Sequence, residues 1–380
     1  MAYSIGKLQT QLMREYYKYF SKYAKGRVPE KKVAWVTSFA PIEILEALDM
    51  LYYYPESYAA VIAASQKEDE LLNACDKRYL TTNCCSYACC IEGMLEIQDA
   101  PRGLMPLPDI LIATNNQCNT LPEWWNIVSI RYGIPLVIID YPGENVDSKI
   151  AREYVDNQHL ELIDKLEQLT GNKLDNAILE EKIKISTSSI DNWNRIIGLL
   201  SEKEIKPTVL FDDISYLITA RCKPETVELY SLMHQELSSK QDSDKADTPI
   251  YWLGYPLWYH PDRYLREELR GCRVVGANYL TWWSLDFSGN DVFERLFNAY
   301  NYTFLNLCQN NRDEKLNELI KDSGAKGVVA MKNKSCKCDF VSAKNIELPQ
   351  ASIEMDMIDR NFMDVDRARE LIELMKDCIN

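Results

Sequence analysis

The chain has 380 residues, 46% of them hydrophobic, enough to bury a substantial core and to fill two globular domains. Its 43 Lys and Arg against 57 Asp and Glu give a net charge of −14, which argues against broad binding to nucleic acid or to an anionic membrane surface. No run approaches the roughly 18 apolar residues of a membrane span, and the start, MAYSIGKLQTQLMREYYKYF, carries charges and tyrosines where a signal peptide would be apolar. A cytoplasmic protein is expected, so the twelve cysteines read as metal ligands or buried thiols rather than as a disulfide framework.

In chain order, helical periodicity runs to about residue 23 and gives way to a basic linker, KGRVPEKK, and a first strand-like run, VAWVTSF (33–39). APIEILEALDM (40–50) puts Pro41 at a helix start, where its missing N–H is harmless. Further apolar, β-rich runs are YAAVIAA (58–64), DILIAT (109–114) and PLVIID (135–140). From 148 to 206 charged stretches with helical apolar spacing suggest a helical connector, followed by a polar loop, SSKQDSDKADT (238–248). A second set of strands is expected at PIYWLGY (249–255), CRVVGA (272–277), KGVVAMK (326–332) and PQASIEM (349–355), and VDRARELIELMKDCI closes the chain as a helix.

This alternation predicts an α/β protein with two Rossmann-like parallel-sheet domains flanking a helical connector. The boundaries are 1–147 for the first α/β domain with its leading helix, 148–247 for the connector and loop, and 248–380 for the second α/β domain. Ligands of open parallel sheets bind at the carboxyl ends of strands. Cys118, four residues after DILIAT, and Cys336, four after KGVVAMK, therefore stand at corresponding positions, and a cleft between the domains could hold one cluster.

The cysteines group as Cys84-Cys85 and Cys89-Cys90 in TTNCCSYACCIEG, Cys118 in ATNNQCNTLPEWW, and Cys336 with Cys338 in KNKSCKCDF. Neither a ferredoxin C-x₂-C-x₂-C run nor paired zinc-ribbon C-x₂-C motifs occur, so spacing alone is a weak metal signal. Cys75, Cys222, Cys272, Cys308 and Cys378 read as small packing residues. Cys118 and Cys336 have polar, loop-like flanks that do not suit core packing.

The segment 81–96, then GLMPLPDILIATNNQC (103–118) with LPEWWNIVSIRYGIPLVIIDYP (121–142), resembles the N-terminal half of the 2-hydroxyacyl-CoA dehydratase and benzoyl-CoA reductase family. The segments GAKGVVAMKNKSC (324–336) and ASIEMDMIDRNFMDVDRARELIELM (351–375) are similar to its C-terminal half. The resemblance implies an oxygen-sensitive, anaerobic iron–sulfur subunit with three cysteines on a [4Fe–4S] cluster and one iron left open. Cys118 and Cys336 match the second and third ligand positions, and either Cys84 or Cys85 matches the first. Cys89, Cys90 and Cys338 exceed that pattern and leave open a double-cubane cluster, as in a homodimeric reductase of the same family. A flavin is neither required nor excluded.

The segment TSFAPIEILEAL (37–48) resembles the family's first strand-to-helix turn, which would place Glu43 and Ser38 in the cleft as proton-handling groups. The competing reading has Glu43 complementing the helix dipole and Ser38 capping the helix. Leu48-Asp49 stands where the family carries a glycine. His159, His234 and His260 form no hydrolase pattern and read as surface or structural residues. Trp124-Trp125, Trp258 and Trp282-Trp283 read as core or subunit contacts, or as an aromatic platform for an acyl group or adenine.

No G-x-x-x-x-G-K-[ST] loop is present, so ATP hydrolysis belongs to another protein. The resemblance implies a heterodimer with a homologous second subunit, served by an ATP-hydrolysing iron–sulfur activator that injects one low-potential electron. The acyl-CoA thioester would become a ketyl radical, expel its 2-hydroxyl, acidify carbon 3 and yield the 2-enoyl thioester. The alternatives are a benzoyl-CoA-type aromatic thioester reductase and a non-catalytic zinc or thiol-rich scaffold.

Overall fold

A computed structural model describes residues 4–24, 30–75, 84–242, 247–259, 269, 271–336 and 346–379. The leading helix α1 (Ile5–Ala24) lies before the first unit, which runs β1 (Val33–Val36), α2 (Ile42–Ala47), β2 (Leu51–Tyr53), α3 (Pro55–Ala64), α4 (Glu68–Ala74), α5 (Ser86–Ile97), β3 (Ile110–Thr114), α6 (Thr120–Tyr132) and β4 (Leu136–Ile139). Four helices follow: α7 (Ser148–Thr170), α8 (Asn176–Gly198), α9 (Pro207–Ala220) and α10 (Pro224–Ser238). The second unit comprises β5 (Thr248–Leu253), β6 (Cys272–Ala277), α11 (Asn278–Thr281), α12 (Val292–Asn301), α13 (Gln309–Ser323), β7 (Gly327–Asn333), β8 (Gln350–Met355) and α14 (Val365–Ile379).

Both sheets are four-stranded and parallel, and their orders, β2-β1-β3-β4 and β6-β5-β7-β8, are the same permutation. The strands β1 and β3 are buried along their whole length, as continuous Val/Ile/Leu/Ala runs covered on both faces should be. In each unit the chain reverses its direction of winding between the two central strands, and a crevice opens there at their carboxyl ends. At the first crevice the Thr37 and Thr114 hydroxyls hydrogen-bond at 2.9 Å, fixing the ends of β1 and β3 side by side.

One expected strand is a helix: YAAVIAA (58–64) lies within α3, and the strand of that unit is Leu51–Tyr53 just before it. A short apolar run fits either state by periodicity, and Pro55 at the first helical position decides it. The region read as a connector is helical throughout α7 to α10, with Asp147 capping α7 through the amides of Lys149 and Ile150. The loop before β5 lies partly outside the described residues. Among the described residues no helix is long and apolar enough to cross a membrane.

Helix α5 is pressed onto α4 at Gly93, where an added Cβ would sit 1.9 Å from the Leu71 carbonyl oxygen. Only glycine permits that approach, and it sets where the N-terminus of α5, with its cysteines, is aimed. The two units meet through the Phe39 and Trp283 rings, stacked at 4.5 Å, and through Asn116, whose amide donates to the Tyr300 carbonyl at 2.8 Å. Arg360, after β8, adds an ion pair to Glu68 on α4 at 3.3 Å.

Candidate functional site

Three cysteines from three different elements converge at the carboxyl ends of the two sheets. Cys85 sits at the N-cap of α5, Cys118 in the turn between β3 and α6, and Cys336 just beyond β7. The hydroxyl of Ser335, next to Cys336, donates to that of Ser86, next to Cys85, at 2.9 Å in a buried contact. Burial pushes the Cys85 thiol well above its ordinary value, and the neighbouring Cys118, Cys336 and Glu56 add to that push. Cys85 and Cys84 both add to the upward push on the buried Cys89 thiol, whose first partner is Cys75.

The surplus cysteines Cys89 and Cys90 are buried within α5, at 1% and 0% exposure, and Cys338 lies outside the described residues. Cys75 and Cys222 are buried as packing residues should be, and Cys272 and Cys308 are half-buried. Cys378, expected to pack, is exposed on α14, because its position falls on the solvent face of that amphipathic helix.

Beside Cys118 the polar groups of the first crevice are organised around Glu56, which sequence reasoning missed. The Ser38 amide and hydroxyl donate to Glu56 Oε2 at 3.1 and 2.8 Å, and the Gln117 amide donates to Oε1 at 3.0 Å. These three donors favour the carboxylate, yet burial outweighs them and raises its pKa above the usual range. The signal was present in YYYPES: a proline followed by an acid at a helix start, as in APIE, but embedded in a tyrosine run.

Ser38, Glu56 and Gln117 line a cavity of about 180 Å³ that runs from the crevice between α1, α3, α9 and the α11 region. Its walls are aromatic and aliphatic, and Trp258, Trp282 and Trp283 belong to them, whereas Trp124 and Trp125 pack in the core. The Trp258 indole N–H donates to the Tyr87 hydroxyl at 2.6 Å across the two units.

Glu43 is placed elsewhere. It is fully buried on α2 and does not line this cavity; Arg221 Nε is 3.0 Å from Oε1, Ser186 donates to the same oxygen at 2.7 Å, and the Tyr300 hydroxyl donates to Oε2. Arg221 also donates to the Ala40 carbonyl at 3.3 Å. His159 is buried on α7 with its Nε2 2.9 Å from the Tyr141 hydroxyl, and burial lowers its pKa to about 3. His234 is half-buried on α10, and His260 lies outside the described residues.

Among the described residues no three His, Cys, Asp or Glu side chains gather tightly enough to hold a single metal ion. A cubane cluster is itself several atoms across, so its thiolates stand around it rather than against one another. Cys85, Cys118 and Cys336, one each from a helix N-terminus and two strand ends, fit the donor chemistry of that larger group.

A family model described as 2-hydroxyglutaryl-CoA dehydratase, D-component, matches residues 37–373. The chain is 28% identical to the (R)-2-hydroxyisocaproyl-CoA dehydratase alpha subunit of Clostridioides difficile over 93% of its own length and 92% of the relative's. It is 26% identical to the lactoyl-CoA dehydratase alpha subunit of Anaerotignum propionicum, covering 90% of each. It is also 25% identical to a benzoyl-CoA reductase subunit of Thauera aromatica, over 86% of this chain and 84% of that one.

Proposed function

The chain belongs to the 2-hydroxyglutaryl-CoA dehydratase D-component family, and from that premise we propose that it is the iron–sulfur subunit of a radical 2-hydroxyacyl-CoA dehydratase. It works in the cytoplasm with a homologous second subunit and an ATP-hydrolysing iron–sulfur activator. The observation that carries the reading is the buried Ser335–Ser86 hydrogen bond, which joins the backbones bearing Cys336 and Cys85 at the crevice where Cys118 also emerges.

Cys85, Cys118 and Cys336 hold a [4Fe–4S] cluster, and Cys84 does not. When bound, that group supplies low-potential one-electron transfer and an open Lewis-acidic iron. The chain's own residues do the rest. Dehydration of a 2-hydroxyacyl thioester takes a hydroxyl from carbon 2 and a proton from carbon 3, so a proton-handling carboxyl must stand within reach of the acyl chain. Glu56 fills that role in place of Glu43: it lines the cavity, its two oxygens are oriented by Ser38 and Gln117, and burial keeps its proton affinity high. Ser38 lines the cavity, and its hydroxyl positions Glu56. Glu43 serves as the buried anchor of α2. The aromatic walls exclude water from the reacting carbons.

Anaerobic purification with the partner subunit, followed by iron and sulfide analysis, tests the ligand set. Cys85→Ser, Cys118→Ser and Cys336→Ser lose iron and the brown colour, and Cys84→Ser keeps both; a colourless, iron-free wild-type protein after reconstitution overturns the cluster. The similarity to a benzoyl-CoA reductase subunit supports one rival, reduction of an aromatic thioester. Assay of the complex with activator, ATP and both thioester classes decides: dehydration without ring reduction excludes that rival.

A further inference from the structure

We infer that the cavity selects an uncharged, apolar acyl group up to the size of an aryl ring and rejects acyl groups that carry a second carboxylate, an inference that rests on the thioester reading above. Three observations carry it. The cavity volume, about 180 Å³, is close to the roughly 150 Å³ of apolar protein cavities that admit benzene. Its walls are built from rings on separate elements: Phe39 stacked on Trp283, Phe211 on α9, and Tyr279 on α11 packed edge-on against Trp283. Such walls offer edge and face contacts to a further ring. Among the described residues lining the cavity none is Lys, Arg or His, and Asp212, exposed on α9, adds a negative charge to its rim.

A second carboxylate brought in with the acyl chain would lose its water and meet no cation, a cost no neutral wall repays. The polar end of the cavity, at Ser38, Glu56 and Gln117, faces the reacting carbons instead. The Trp282 indole N–H lines the cavity buried and without an acceptor, so an oxygen of the bound thioester supplies its partner.

The test is calorimetric titration of the anaerobic complex with three unreactive thioesters: 3-phenylpropanoyl-CoA, glutaryl-CoA and acetyl-CoA. The phenylpropanoyl thioester binds about tenfold more tightly than acetyl-CoA and roughly 100-fold more tightly than glutaryl-CoA. Ala60→Leu, which fills the cavity from α3, removes the advantage of the phenyl thioester over acetyl-CoA; Val61→Arg, in the same wall, raises glutaryl-CoA affinity. Glutaryl-CoA binding as tightly as phenylpropanoyl-CoA overturns the inference and leaves the dehydratase reading standing. An unchanged phenyl advantage in both variants, with acetyl-CoA still bound, places the acyl group elsewhere and also overturns it. Failure of all three thioesters to bind the iron-loaded complex overturns the thioester reading itself.

Discussion

Two buried glutamates stand at the carboxyl edge of the first sheet, Glu43 at the start of α2 and Glu56 at the start of α3, and their surroundings differ in one respect. Glu43 has a counter-charge: Arg221, itself 1% exposed, forms an ion pair that ties α2 to the end of α9, while Ser186 and Tyr300 add α8 and α12. Glu56 has neutral donors only, from Ser38 and Gln117, and its carboxyl is pushed toward the protonated form. Residue type and burial are alike, so the counter-charge separates a carboxylate tied between helices from one held by neutral donors in a cavity wall. A charge fully paired in the interior is costly to disturb and chemically quiet, whereas one held by dipoles in a cavity wall stays available to a ligand.

The sharpest way to break the comparison is to remove the counter-charge. Arg221→Met strands Glu43 in the core and costs about 3–5 kcal/mol of stability, read from anaerobic denaturant unfolding. Arg221→Lys does not restore the wild-type value, because one ammonium cannot reach Glu43, the Ala40 carbonyl and Tyr300 together. A loss below about 1 kcal/mol for the methionine variant would deny Glu43 its structural role.

The converse substitution, Glu56→Gln, leaves unfolding within about 1 kcal/mol of wild type, since an amide of the same shape replaces a group with no ion pair to lose. Turnover of the iron-loaded complex falls by about 10²- to 10⁴-fold. Equal turnover in wild type and variant would remove Glu56 from the chemistry.

A smaller effect is expected at Ser38→Ala, which deletes one of two donors to Glu56 Oε2 and keeps the backbone donor. Its stability cost is about 1 kcal/mol, and its loss of turnover stays below that of Glu56→Gln. A loss as large as that of Glu56→Gln would give the hydroxyl a part of its own.

Asp213 on α9 extends the comparison by pH. Its carboxylate accepts from the Gln9 amide at 2.9 Å, and burial, with Asp212 beside it, raises its pKa from 3.8 to about 7. The folded state therefore binds more protons than the unfolded state between about 4 and 7, so this carboxyl lowers stability progressively as pH rises through that window. Asp213→Asn unfolds like wild type near pH 4 and is the more stable of the two at pH 8, in denaturation midpoints compared across that range. An equal difference at both pH values would rule out the titration as its cause.

Much of this architecture was legible in the chain. The runs VAWV, ILIAT and GVVAM announced strands because parallel strands buried on both faces need continuous apolar sequence. The strand-end rule then put Cys118 and Cys336 at matching positions. YAAVIAA misled because a seven-residue apolar run carries no period of its own. LYY escaped because its strand is three residues long and only Tyr54 separates it from Pro55 at the start of α3.

The sequence by itself determined which stretches are buried, where the strands end and that cysteines stand at those ends, because burial and turn chemistry are local properties. Only the tertiary structure brings Cys336 beside the start of α5, where Cys85 is the N-cap, through a hydrogen bond from Ser335 to Ser86 that closes across 249 residues. It alone separated Glu43 from Glu56, because the guanidinium that quiets Glu43 comes from a position 178 residues away. A carboxylate's role depends on which charges and donors surround it in space, and that is set by packing between segments that no local pattern relates.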